Sequence, residues 1–352
     1  MGKIIYIVDK KGSAIHTAAL SRVSLLGGKV YIANEYMSPQ ILLKNILKEN
    51  SGIVLFAWRK ALADSIYLKS ARNYYNKLDS KFVIVFLIPD HLGLDDKKQG
   101  IELAMINAVD YYLVTSQILL YKYRDRYVDN PPKGILHDLP NLIAIDQIKK
   151  NIPKIKGVKH KIIWVGNSRW GVRQGAKDHK GLADTIVPLN EIIKQHNNCV
   201  DFEIVDSRKR FIKHKDVLKK IRTSDLLIQV SKSEGTGLPL LEAIGLETSV
   251  LSTDVGVAKE ILSDPQYFID SFDDVEEIHN KVHQLLEKRS TFILSDNYNK
   301  YIDSILKEEL VPLKKNNIMP FYASTKNRIK IRLFWYYRYF NNLTSKIFNK
   351  VE

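Results

Sequence analysis

Cysteine is almost absent from this sequence of 352 residues, which contains a single one, Cys199. One cysteine cannot form a disulfide within the chain, and it cannot build the multi-thiolate clusters that hold zinc or iron–sulfur centres. Such sparing use of cysteine is typical of reducing compartments. The composition therefore predicts a cytoplasmic setting.

Long hydrophobic runs are also lacking. No stretch approaches the roughly 18 uncharged apolar residues that a membrane-spanning helix requires, and the short apolar run at residues 4–8 is expected to form a strand, not the core of a signal peptide. Glycine and proline are modest in number, at 17 and 11, so disorder is not indicated. With 45% hydrophobic residues, the chain is long enough for two medium-sized domains.

Acidic residues are in the minority, with 39 Asp and Glu against 54 Lys and Arg, so that the formal net charge is +15. Such an excess attracts anionic partners such as phosphates or acidic lipids. The excess of positive charge is greatest at residues 326–350, where Lys, Arg and large aromatic residues occur without any Asp or Glu. We expect this tail to bind an anionic membrane surface peripherally, with a final helix packed on the first domain as the alternative. No nucleic-acid-binding motif is recognisable, and no nucleic-acid partner is expected.

Apolar runs bounded by turn residues alternate with segments of helical spacing. Strands are predicted at residues 4–8, 29–33, 53–57, 82–88 and 111–114 and, after a polar stretch, at 161–165, 201–205, 226–230 and 249–252. This alternation indicates parallel sheets covered by helices. We predict an α/β fold with two Rossmann-like domains, at residues 1–153 and 154–295, and C-terminal helices at 296–352. Ligands of such sheets bind at the carboxyl ends of the strands.

The loop after the predicted strand at 226–230 contains the most informative motif, in which Glu234 is followed by Gly235, Thr236, Gly237 and Leu238 and, after a proline, by Glu242. Strand, glycine loop and helix start follow one another here. Backbone N–H groups at a helix start suit a phosphate or pyrophosphate. The two carboxylates are acceptors for hydroxyl groups. The motif therefore predicts a site for a molecule that carries both phosphates and hydroxyls.

These residues, together with the sequence from Thr253 to Glu260, resemble the two-glutamate signature of glycosyltransferase family 4 and its relatives. The resemblance implies a GT-B type architecture, in which two Rossmann-like domains face a central cleft. It also implies that Glu234 lies near the donor sugar, that Glu242 binds the ribose hydroxyls of the nucleotide, and that the backbone of residues 235–238 contacts the donor.

A second set of residues follows the predicted strand at 161–165. The same resemblance places an arginine and a lysine after this strand, where both neutralise the diphosphate of the donor. Arg169 and Lys180 are the candidates. The loop is longer than the usual compact turn, so Arg173 or Lys177 could hold either role.

In the first domain, Gly12 and Ser13 occupy the position of the family's glycine-rich first loop, and they are candidates for donor or acceptor contact. His91, after the predicted strand at 82–88, is the candidate that contacts the reacting sugar, although the family order of His then Asp is reversed here to Asp90 and His91. His16 is expected to be a helix-surface or interdomain residue. His137 and Asp138 form a rival pair.

The resemblance implies an enzyme that moves a sugar, with retention of configuration, from a nucleotide-sugar to the hydroxyl of a glycan, a lipid-linked glycan or another acceptor. Bacterial-type synthesis of polysaccharide or glycolipid is the expected setting. No cofactor and no metal are expected, because cationic side chains and a helix start take the place of a divalent ion. The alternative is a non-catalytic, membrane-associated binding or scaffold protein with the same fold, since Gly12 stands alone and the order of Asp90 and His91 is reversed.

Overall fold

The computed structural model describes the protein at residues 3–49, 52–91, 94, 99–154, 157–170, 178–196, 199–210, 212–271, 273–288 and 291–308. Arg173, Lys177 and the basic tail at residues 326–350 therefore lie outside the described residues.

The first domain is built on a sheet of five parallel strands in the order β2-β1-β3-β4-β5. The strands are β1 (Lys3–Val8), β2 (Lys29–Ile32), β3 (Gly52–Phe56), β4 (Val83–Ile88) and β5 (Tyr111–Val114). The helices are α1 (Ala14–Leu26), α2 (Pro39–Ile46), α3 (Arg59–Tyr67), α4 (Lys69–Asp79), α5 (Gln99–Ile106) and α6 (Gln117–Arg126).

Apolar residues on both faces of this sheet explain why its strands are nearly continuous hydrophobic runs. Ile5 and Ile7 of β1 lie in one buried cluster, whereas Tyr6 and Val8 lie in the cluster on the opposite face. Successive side chains of a strand point to opposite faces, so an all-apolar strand requires a cover on each side. Helices supply this cover.

The second domain repeats the plan with strands in the order β7-β6-β8-β9-β10, all of them parallel. These strands are β6 (His160–Gly166), β7 (Val200–Asp206), β8 (Leu226–Gln229), β9 (Ser249–Thr253) and β10 (Phe268–Ile269). The helices are α7 (Leu142–Asn151), α8 (Val187–His196), α9 (His214–Arg222), α10 (Leu238–Gly245), α11 (Ala258–Ile261), α12 (Val275–Lys288) and α13 (Thr291–Glu308). A π-helical segment, Leu182–Ile186, precedes α8.

Both sheets therefore have the same strand order, in which the second strand lies on one side of the first and the remaining three lie on the other. The chain changes direction between β1 and β3 in the first sheet and between β6 and β8 in the second. Open α/β sheets bind their ligands at this switch point, beside the carboxyl ends of the strands. The loops after β6 and β8 are the corresponding positions of the second domain.

The nine predicted strands and the predicted α/β class are confirmed, while the short strand β10 was not predicted. Helix α7, which falls in the range predicted for the first domain, packs in the core of the second through Ile145 and Ile148. Helix α13, part of which lies in the range predicted for the C-terminal helices, packs against α10 and α11 of the second domain. Within the described part of the chain, every helix is too short or too polar to cross a membrane.

Candidate active site

The glycine loop after β8 turns sharply into helix α10. Gly237 has a φ of 83°, a left-handed conformation that side chains rarely adopt, and it stands immediately before the first helical residue, Leu238. The side chain of Leu238 packs into the core of the domain. The carbonyl of Thr236 accepts a hydrogen bond from the N–H of Val257, at 3.0 Å, which joins this loop to the one after β9. The start of α10 is thereby fixed at the switch point.

Lys180 and Glu234 meet at this switch point. The Nζ atom of Lys180, in the loop after β6, donates a hydrogen bond to Oε1 of Glu234, in the loop after β8. Their side chains are 17% and 15% exposed. The same Nζ atom lies 5.3 Å from the ring centroid of Trp170. The structure therefore joins two sequence-predicted site residues in a half-buried ion pair beside an aromatic ring.

His91 of the first domain lies against the same loops. Its Nδ1 atom is hydrogen-bonded to the hydroxyl of Ser233, and its ring stacks on that of His179 with 5.0 Å between centroids and 17° between planes. His179 Nε2 donates to the carbonyl of Ser233 at 2.7 Å. The ring of Trp170 lies 4.4 Å from that of His179. His91 is thus stacked on His179, and Trp170, which also lies beside Lys180, is tilted against both rings.

Both histidines of this stack are held in the neutral form. Burial lowers the pKa of His91 to about 4, with the charge of Asp90 opposing this shift and His179 adding to it. Burial also lowers the pKa of His179, against the effect of its hydrogen bond to Ser233. At neutral pH each ring therefore carries one N–H and one acceptor nitrogen. Lys180 is then the charged group of this cluster that an anionic ligand would meet.

The reversed order of Asp90 and His91 has a structural reason. The guanidinium of Arg59 donates to the carboxylate of Asp90 and, at 3.0 Å, to the hydroxyl of Tyr123. Arg59 Nε also donates to both carboxylate oxygens of Glu102, at 3.1 and 2.9 Å. This network anchors Asp90 inside the first domain. His91, the next residue, extends towards the second.

Glu242 is in the second turn of α10 and is 4% exposed. Its Oε1 atom accepts a hydrogen bond from Nε2 of His214, the first residue of α9, at 2.7 Å. Burial acts to lower the pKa of His214, but the hydrogen bond to Glu242 and its charge raise the pKa above the usual value. A buried carboxylate is therefore paired with a histidine that binds its proton more tightly than usual.

Other contacts join the two domains along a seam formed by residues 89–91 and 137–138 of the first domain and 233–236 of the second. A Cβ atom on Gly235 would overlap the carbonyl oxygen of Pro89, so only glycine fits there. The Thr236 hydroxyl donates to Oδ2 of Asp138 at 3.2 Å. Burial raises the pKa of Asp138 to about 6, against the charge of Arg22. Gly235 and Thr236, predicted as donor contacts, thus lie on the seam.

The remaining predicted residues make local contacts. Arg169 is exposed in the turn after β6. Ser13 caps helix α1 by accepting from the N–H of His16, at 3.1 Å, and it donates to the carboxylate of Asp9. The N–H of Gly12, which has a φ of 77°, donates to Nδ1 of the buried His16 at 3.2 Å. The structure brings Glu234, Lys180 and His91 together, whereas Gly12 and Ser13 are engaged with their own helix.

Sequence reasoning did not find Arg59, His179 or Ser233. Two of them had a signal in the sequence, because Arg59 follows strand β3 at its carboxyl end and His179 directly precedes Lys180. Ser233 had none beyond its place in the glycine motif. Across the described residues, no group of three or more His, Cys, Asp and Glu side chains is arranged to hold a metal ion.

A family model matches part of the second domain. Residues 209–305 match the family model described as "Glycosyl transferases group 1". This range contains Glu234 and Glu242, with α9 and α10. No curated protein matches the sequence.

Solved structures match over most of the chain. Trehalose-6-phosphate synthase OtsA has a TM-score of 0.67 at 10% identity, with 89% of this chain and 99% of that chain covered. An α,α-trehalose-phosphate synthase (UDP-forming) from Burkholderia vietnamiensis has a TM-score of 0.66 at 8% identity, with 89% and 98% covered. Anabaena HepE, in complex with UDP and glucose, has a TM-score of 0.58 at 13% identity, with 89% and 99% covered.

These likenesses show the fold. The predicted GT-B type arrangement of two α/β domains is confirmed, and the chain has the architecture of glycosyltransferases such as OtsA. The narrower resemblance to glycosyltransferase family 4 stays a prediction.

Proposed function

We propose that the protein is a retaining glycosyltransferase that takes a sugar from a nucleotide-sugar and transfers it to an acceptor hydroxyl. The observation that carries this proposal is the Lys180–Glu234 ion pair at the switch point of a GT-B fold, beside the start of α10. An anion attracted to Lys180 and a hydroxyl group attracted to Glu234 would both find their partners there. A sugar diphosphate carries both groups.

Donor binding would replace the contact between Lys180 and Glu234. The diphosphate forms an ion pair with the ammonium of Lys180, with Arg169 as a second cation. Glu234 is then free to accept hydrogen bonds from the sugar hydroxyls. The N–H groups at the start of α10, where the first turn has no acidic side chain, add to the positive potential. The carboxylate of Glu242 accepts hydrogen bonds from the ribose hydroxyls. The chain's own cations thus stabilise the departing diphosphate, and we propose no metal.

The acceptor would enter from the first-domain side of the seam. We propose that the neutral imidazole of His91 hydrogen-bonds a hydroxyl of the donor sugar; the support is that His91 lies against the loops of the second domain while Arg59 binds Asp90. The acceptor oxygen bonds to the anomeric carbon as the bond from that carbon to the diphosphate oxygen breaks, and the proton of the acceptor hydroxyl passes to the departing diphosphate. Retention of configuration is inferred from the family resemblance. UDP is the first nucleotide to test, since HepE has been solved with UDP and glucose.

Calorimetry with a panel of UDP-, GDP- and ADP-sugars tests the proposal directly. We expect one donor to bind, and we expect Lys180→Ala to weaken that binding roughly tenfold to a hundredfold, as for the loss of a charge-assisted hydrogen bond. Lys194→Ala is the matched control, because Lys194 is an exposed lysine of the same domain that pairs with Glu191. Failure of every donor to bind, or equal effects of the two variants, would overturn the proposal.

The reversed Asp90 and His91 keep a second candidate open, a protein that binds a nucleotide-sugar without turning it over. A transfer assay with radiolabelled donor and lipid or glycan extracts separates the two. Binding without transfer or hydrolysis in any extract would favour the non-catalytic protein.

For the acceptor, we propose a growing polysaccharide or a glycolipid at the cytoplasmic face of a membrane. The support is the sequence of residues 326–350, whose cations and aromatics are typical of an interfacial segment. A chain that ends at Ala323 should lose binding to anionic vesicles at low salt and keep donor binding. Unchanged vesicle binding by this truncated chain would refute the membrane contact.

A further inference from the structure

The carboxylate of Glu242 has an environment that requires a partner. It lies on α10 between Leu241 and Ala243, both fully buried, and it is itself 4% exposed. A carboxylate removed from water is costly unless hydrogen bonds or an opposite charge compensate it. The Nε2 atom of His214, 2.7 Å from Oε1, provides both.

His214 is held in place by its helix. Leu218 and Ile221, on the same helix α9, are buried in the core of the second domain, and α9 packs against α10. The side chain of His214 is 31% exposed, against 5% for that of Glu242. His214 is therefore the member of the pair nearer to solvent.

We infer that His214 is a positioning residue for nucleotide recognition, which holds Oε1 of Glu242 so that Oε2 is directed to the ribose hydroxyls of the donor. This inference rests on the proposed function. A carboxylate has about four lone-pair sites on two oxygens, so that one oxygen can accept from His214 and the other from a ligand. His214 acts through Glu242 and does not itself touch the reacting atoms.

The charge of Glu242 affects two neighbouring side chains, Tyr298 and His214. Burial and the negative charge of Glu242 raise the pKa of Tyr298, which lies on α13, so that its hydroxyl stays protonated. The hydrogen bond and charge of Glu242 raise the pKa of His214 against the effect of burial. Glu242 accepts the hydrogen bond of His214 through Oε1, and a ribose hydroxyl requires an acceptor such as Oε2.

A comparison of ribonucleotides with 2′-deoxyribonucleotides tests the inference. UDP, GDP and ADP and their 2′-deoxy forms are titrated calorimetrically into the full-length protein and into His214→Ala and His214→Gln. We expect the wild type to bind its preferred ribonucleotide about tenfold or more tightly than the deoxy form, because a hydrogen bond to a buried carboxylate is lost. In His214→Ala this ratio should fall to about two or less.

Two further variants give the comparison its controls. His214→Gln should retain part of the discrimination, because its amide N–H can still donate to Glu242. His160→Ala should retain all of it, because His160, also 31% exposed, pairs with Asp225 at 3.9 Å at the amino end of strand β6, away from the switch point.

The outcomes distinguish the inference from the function on which it rests. If no nucleotide binds the wild type, both are wrong. If a ribonucleotide and its deoxy form bind equally well, donor binding stands, but the role of His214 and Glu242 is wrong. If His214→Ala weakens both forms equally and leaves their ratio intact, His214 has only a structural role. Should His214→Ala not fold, the ratio in His214→Gln decides.

Discussion

The two domains share a strand order but hold their loop side chains differently. In the first, the polar groups of the loops are bound by their own domain: Ser13 caps α1, and Asp90 is held by Arg59. In the second, the charged groups are held by neighbours across the switch point: Lys180 pairs with Glu234, and His214 with Glu242. The first arrangement fixes a loop, whereas in the second a ligand can separate Lys180 from Glu234 and can bind to Glu242 while His214 holds it.

This difference assigns separate tasks to the domains. A ligand cannot recruit Asp90 without a large cost, because Arg59 binds Asp90, Tyr123 and the 2%-exposed Glu102 in one network. Lys180 and Glu234 form a single ion pair outside such a network, so a ligand can separate them at a smaller cost. The second domain therefore has the exchangeable groups that donor binding needs, and the first supplies a rigid support for His91.

The largest expected effect is a loss of stability when the Arg59 network of the first domain is broken. Arg59→Ala leaves the carboxylates of Asp90 and the 2%-exposed Glu102 without their cation, and we expect it to lower the free energy of unfolding by about 3–5 kcal/mol. Urea unfolding followed by tryptophan fluorescence measures this. Lys60→Ala, which removes an exposed pair with Asp64 on the same helix, should cost about 1 kcal/mol or less.

Donor binding sharpens the same comparison. Arg59→Ala should leave the affinity for the donor nucleotide unchanged while it reduces transfer, since Arg59 positions only the loop of His91. Lys180→Ala should weaken donor binding roughly tenfold to a hundredfold and should lower the free energy of unfolding by less than Arg59→Ala does, because Lys180 pairs with one carboxylate and Arg59 with two. A loss of stability in Lys180→Ala equal to that in Arg59→Ala would mean that the two domains do not differ as described.

The sequence allowed the sheets and the glycine motif to be predicted because both depend on local patterns. Runs such as that of β1 are apolar at consecutive positions, and Gly237 and Leu238 follow directly from a strand-to-helix turn. The sequence assigned Lys180 and Glu234 to loops at the same edge of a sheet, but their pairing with each other was not predicted.

Contacts between distant segments could not be predicted in this way. No local pattern indicates that Gly235 meets Pro89, or that His214 meets Glu242, because these contacts depend on how loops and helices of separate elements pack. The order of Asp90 and His91 looked anomalous for the same reason, since its explanation, Arg59, lies 31 positions away in the sequence.

A smaller effect is expected at the seam between the two domains. His137 belongs to the first domain but has partners on the second. Its Nδ1 atom is 3.1 Å from the hydroxyl of Tyr301, and its Nε2 atom is 3.7 Å from the carboxylate of Glu260. Burial, aided by the charge of Arg22, lowers the pKa of His137 to about 4 from 6.5. The folded protein therefore binds this proton less well than the unfolded chain does.

A base whose pKa is lowered by folding stabilises the protein fully above the unfolded pKa, and this contribution is lost as the pH falls towards the folded one. Between about pH 7 and pH 5 the loss should be about 2 kcal/mol. His137→Gln cannot titrate, so the difference in unfolding free energy between wild type and variant should shrink by that amount on acidification, measured by urea unfolding at each pH. A difference that is constant with pH would show that His137 is equally accessible to protons in both states, and hence that the two domains do not close over it.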